Sequence, residues 1–95
     1  MKAIKELKLI EGHFSPEEAR EILMNVFLSK IHFHQNKNLS SEERFGKEDT
    51  TALKRIPELK SSMKLISQLI EEAKINNETL QIISEVRINL SKSNI

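Results

Sequence analysis

Hydrophobic positions along the chain follow two different periods, and the period changes near each end. From Thr79 to Leu90, Leu80, Ile82, Val86, Ile88 and Leu90 alternate with Gln81, Glu85, Arg87 and Asn89. Period two is the mark of a half-buried strand, so a strand is expected over 79–90, with Ile83 and Ser84 breaking the alternation. Lys2 to Glu11 carries a less regular version. Leu7 and Leu9 share one face with Ala3, while Ile4 and Ile10 fall on the other with Glu6 and Lys8. This predicts a strand over 2–11, which Gly12 then breaks.

Between the strands the period is helical. Ser15-Pro16-Glu17-Glu18 forms a capping box with proline at the first helical position. The Ser15 hydroxyl is placed to accept from the amide of Glu18, and Phe14 precedes the cap as a staple residue. Glu17, Glu18 and Glu21 suit the positive end of the helix dipole. A helix is expected over 16–37, with Ala19, Ile22, Leu23, Val26, Phe27 and Ile31 on its packed side. Met24, Leu28 and Phe33 lie off that stripe. Together the apolar positions cover roughly 240° of the helix, about twice the arc that one packing partner covers.

The second helix is expected over 53–76. Ala52, Ile56, Leu59, Met63, Ile66, Ile70 and Ala73 are spaced 4-3-4-3-4-3, a sustained heptad seam. Leu65 and Leu69 fall off it. Pro57 is harmless only in a first helical turn, which favours a late start near Lys54. Asn76-Asn77 supplies a left-handed stop. The polar stretch 38–52 reads as a linker, with Gly46 inside it and Leu39 and Phe45 as anchors. Residues 91–95 read as a frayed tail.

The expected architecture is α+β: one β-α-α-β two-layer domain spanning 1–95, with a long antiparallel helical hairpin packed on a small antiparallel sheet. Ninety-five residues give such a domain a thin core. The absence of cysteine excludes disulfides, thiol catalysis and cysteine–zinc sites. Two glycines exclude the common glycine-rich phosphate loops. A net charge of +1 points to no class of partner. The longest apolar runs are far shorter than the ~20 residues of a spanning helix. With no secretory pattern at Met1–Lys8, the expected compartment is the cytoplasm.

Candidate chemistry is sparse. His32 and His34 are two apart, so on a helix they point about 200° away from each other and cannot share a metal. The expectation is a half-buried His34 and a solvated His32. The acidic pairs Glu17-Glu18, Glu42-Glu43, Glu48-Asp49 and Glu71-Glu72 diverge by about 100° wherever they are helical. No nucleophile elbow is present. No cofactor or metal is implied, and catalysis is not the expected role. The charge layout is more informative. Helix two is basic at its start, with Lys54, Arg55, Lys60 and Lys64, and acidic at its end, against the dipole preference. In an antiparallel hairpin each basic start is offset by the carbonyl end of its neighbour. The functional reading is an anion site at the start of helix two, formed by Lys54, Arg55 and His34. The alternative is that the acidic linker fills that position itself.

A strand followed by Ser-Pro-Glu-Glu-Ala and two helices resembles the ribbon-helix-helix DNA-binding proteins, over Lys2 to about Glu21. The resemblance implies strand side chains such as Lys5 with Leu7, or Lys8 with Glu6, in a major groove. The length of helix one, the linker and the terminal strand depart from that family. Three readings follow, in order. The first is a non-catalytic association module, a homodimeric scaffold or regulatory binding protein with no membrane contact. Its dimer interface would use Met24, Leu28, Phe33, Leu65 and Leu69, with another protein as a further partner. The second is a nucleic-acid-binding regulator. The third is an enzyme whose site assembles only in space.

Overall fold

The computed structural model describes residues 4–92. Its elements are β1 (Ile4–Phe14), α1 (Pro16–Phe45), α2 (Thr50–Ile75) and β2 (Leu80–Asn89). Class and order are those expected: α+β, with β1 and β2 forming one antiparallel pair. Lys2 and Ala3 of the expected first strand, and residues 93–95 of the expected tail, lie outside the described residues.

The helix starts follow from their caps. The Ser15 hydroxyl accepts from the Glu18 amide at 3.1 Å, and the Ser15 amide donates to the Glu18 carboxylate at 2.9 Å. The Ser15 amide foremost, and the Ser15 hydroxyl with it, favour the ionised Glu18 carboxylate and hold its pKa below the ordinary value of 4.5. At the far end of α2, Asn77 takes φ 57°. The Glu78 amide donates to the Ala73 carbonyl and the Asn77 amide to that of Lys74, closing a Schellman motif.

The 38–52 linker is a correction. α1 continues to Phe45 and α2 begins at Thr50, so the turn is only Gly46–Asp49. Three contacts explain it. Gly46 ends α1 in the left-handed region at φ 64°, where its amide donates to Glu42. Asp49 caps α2 by accepting from the Ala52 amide at 2.9 Å. The Asn38 side chain spans the turn, accepting from the Asp49 amide at 2.7 Å and donating to Glu42 at 3.0 Å. The early start puts Pro57 in the second turn, inside the helix. The Leu53 carbonyl therefore has no i+4 amide to accept from.

The core is the seam between the helices. Its fully or largely buried residues are Ala19 and Ile31 of α1 with Ala52, Leu59, Ile70 and Ala73 of α2. Ile56, Met63 and Ile66 complete the expected heptad at half burial. Beyond Ile31, α1 presents His34, Asn38 and Ser41 to the seam, all half-buried.

The sheet departs from the expected pattern in two places. Gly12 does not end β1: it pairs with Ile82, and Phe14 folds its ring back over it. A β-bulge between Lys8 and Ile10 leaves Leu9 without a partner in β2. An extra residue reverses the alternation beyond it. Ile10 therefore lies on the same side as Leu7, not opposite it. One side of the ribbon carries Leu7, Ile10, Phe14, Leu80, Ile82, Val86 and Ile88, with Lys5 and Ser84 among them. The other carries Glu6, Lys8, Glu11, Glu85 and Arg87, with Lys8–Glu11 and Arg87–Glu6 ion pairs, and the exposed Ile83 opposite Glu11.

The layers touch over a small area at the start of α1. The chain measures 51 × 37 × 15 Å. Those are the dimensions of a helical hairpin about 45 Å long with a ribbon about 36 Å long set across it. The near half of the ribbon, at Ile10, Phe14, Leu80 and Ile82, is half-buried, and the far half is exposed.

Two outcomes follow from these contacts. Because folding lowers the Glu18 pKa, its stabilising share is present above the unfolded value and is lost as pH falls through the folded one. Glu18→Gln should therefore lower the denaturation midpoint at pH 7, and the gap to wild type should narrow as pH falls through the folded pKa; a gap that does not change with pH would refute a contribution from the ionised carboxylate. Asn38→Ala should cost about 1 kcal/mol in urea denaturation, the usual net loss for such a bond. Unchanged stability would show that Gly46 and Asp49 form the turn without it.

Candidate functional site

Each residue expected at an anion site has a definite position. Lys54 and Arg55 are exposed on the first turns of α2, and Arg55 donates to Glu58 at 2.8 Å. His34 points into the seam and stacks edge-on against Phe33, with ring centroids 5.4 Å apart. His32 is exposed. The position an anion would take at the start of α2 is held by the Asp49 carboxylate, which already accepts from Ala52. Among the described residues, no three His, Asp or Glu side chains gather as metal ligands.

The expected interface residues are well exposed, with Met24 the exception at half burial. Leu65 is 57 % exposed, Phe33 53 %, Leu69 50 % and Leu28 41 %. They do not form one patch. The Arg20–Glu71 ion pair, 3.7 Å across the hairpin, marks one side of it. Leu28 follows Arg20 at i+8 on that side, and Met24, at i+4 from Arg20 and seven residues before the buried Ile31, lies where that side meets the seam. Phe33 is nine residues from Met24, about 180° round the helix. Leu65 and Leu69 lie about 120° and 160° from Glu71, past the seam. Phe33, Leu65 and Leu69 thus occupy the side opposite the ion pair, with the half-buried Ile22 and Val26 within about 20° of Phe33 on α1.

That opposite side runs from apolar to basic along the hairpin. At the base, Leu69 and Ala73 meet Leu80 in a shallow groove where α2 gives way to β2. Toward the turn, Phe33 lies beneath the ammonium groups of Lys30 and Lys37, 5.7 and 6.0 Å from its ring centroid. Lys37, Ser40, Arg44 and Phe45 continue that strip as an open groove. Sequence periodicity gives the surplus of apolar residues on both helices. It does not give their division between two sides, which depends on how the helices are turned toward each other.

No helix among the described residues is long and apolar enough to cross a membrane. Comparison with protein-family models, with curated proteins and with solved structures found no significant match for this chain.

With Asp49 on the free amide, added sulfate should raise the melting temperature of wild type and of Lys54→Ala/Arg55→Ala equally, through its nonspecific exclusion from protein surfaces. A larger gain in wild type would establish an anion site at these two residues.

Proposed function

We propose that this chain is a cytoplasmic, non-catalytic association module that works as a homodimer. The observation that carries the reading is its excess surface. The accessible area is 7822 Å², where a compact monomer of this mass exposes about 5,600 Å². The radius of gyration is 17.0 Å, against about 12 Å for a compact chain of this length. Much of the excess is apolar, from Leu7 and Ile88 on the ribbon to Leu65 and Leu69 on α2. Ile70 is the one large side chain wholly shielded from water among the described residues. Small secreted domains with thin cores rely on disulfides; this chain has no cysteine, which favours a reducing compartment and a partner chain as the source of missing core.

Nucleic-acid binding is the second reading, favoured by the strip of Phe33, Lys37, Arg44 and Phe45 near the turn. Against it, Glu48 and Asp49 sit at the same end, and the cations Lys8 and Arg87 of the ribbon are already paired with carboxylates. Light scattering at micromolar concentration should return twice 11.0 kDa. A folded monomer whose binding to single-stranded nucleic acid falls steeply with salt would replace the first reading with the second.

A further inference from the structure

One side of the ribbon is mainly apolar, interrupted by Lys5 opposite Ile88 and by Ser84 opposite Ile10, and its own helices shelter only half of it. Phe14, Ile10, Leu80 and Ile82 are half-buried near the base of the hairpin. Leu7, Val86 and Ile88, on the same side further out, are exposed. The reverse side carries the ion pairs Lys8–Glu11 and Arg87–Glu6, with the exposed Ile83 beside them. An isolated two-stranded ribbon is marginal in water, so the outer half needs a cover on one defined side.

The helices present a matching deficit. Leu65 and Leu69 form an exposed apolar side that runs on to Leu80 through the groove at the end of α2 and is bordered toward the turn by Phe33 under Lys30 and Lys37. We propose that a second copy of the chain covers this surface, with the outer half of each ribbon lying across the Leu65–Leu69 side of the other copy's helices. This rests on the homodimeric reading above and adds to it which side is used and what lies on it.

Two features of the chain select a second copy over a different protein. An arm and a bare surface occur together in one molecule, so a two-fold axis makes the same contact twice and satisfies both deficits at once. The area also fits. The excess of about 2,200 Å² per chain over the compact expectation amounts to about 4,400 Å² for two, within the 2,000–5,000 Å² of obligate homodimers. A standard transient contact covers about 800 Å² per partner and would leave most of it exposed. With a net charge of +1 per chain, repulsion between copies is slight. Leu28, on the ion-pair side, and Met24, where that side meets the seam, stay outside the contact.

The absence of cysteine makes the test direct. Differently tagged Leu65→Cys and Ile88→Cys chains are refolded together and treated with a short bismaleimide. A cross-linked heterodimer is expected, and loss of that product when Leu28→Cys replaces Leu65→Cys. Leu65→Glu should reduce the mass by half while Leu28→Glu leaves the dimer intact. A dimer that cross-links through residue 28 and not residue 65 would overturn this arrangement and leave the homodimer standing. A wild-type chain that stays at 11.0 kDa would overturn both.

Discussion

The packed seam between α1 and α2 is the constraint on which the rest of the molecule depends. It is one residue-row deep, closed near the base by Ala19 and Ala73 and near the turn by Ala52, all buried. Small residues at both ends let the helices approach closely, Ile31 and Leu59 fill the middle, and Ile70 fills the base within a turn of Ala73. Everything else hangs from this contact. The two strands are the chain's ends, so they meet only because the hairpin brings Phe14 and Leu80 together. The ribbon has no tight turn of its own to set its register; the length and closure of the hairpin set it.

That dependence explains which parts of the fold were legible. The capping box, the Asn77 stop and the heptad of α2 are local signals, and each is present as expected. The last part of α1 was not legible, because the residues it turns to the seam are His34, Asn38 and Ser41. Hydrophobic periodicity vanishes there although helical packing continues. Asn38 is both a seam residue and the clamp of the turn, and neither role leaves a pattern beyond its polar side chain. Pro57 does not delay the start of α2, for a related reason. Asp49 as cap and Ala52 as buried anchor together outweigh one unpaired Leu53 carbonyl, and that carbonyl belongs to a residue open to water. In β1 the bulge at Leu9 reverses the alternation, so the irregular stripe seen in sequence is a regular stripe with one residue inserted.

The candidate surface was legible as an amount and not as a shape. Counting apolar positions shows that both helices carry more than one contact can bury. Their assignment to sides needs the rotation of each helix about its axis, which the buried alanines and the Arg20–Glu71 pair fix. The anion site fared differently. Its basic residues are where the sequence puts them, but Asp49, six residues before Arg55 and the last residue of the turn, takes the amide they would have shared with an anion.

The same geometry ties association to the ribbon's own stability. Ile4 pairs with Asn89, and Phe14 with Leu80. Every rung of this ladder joins opposite ends of the chain, and bringing distant segments together carries a loop-closure cost that no local contact offsets. Closing the helical hairpin removes most of that cost for the rungs nearest its base, where Phe14 and Leu80 also gain shelter. Outward from there each added rung gains backbone hydrogen bonds but little burial, since Leu7, Val86 and Ile88 remain exposed. Stability therefore falls along the ribbon, and the outermost rungs open at least cost. A cover supplied by a second chain would act where the intrachain contacts run out, so that the arm and the dimer form together: each copy completes a ribbon that its own helices reach only halfway.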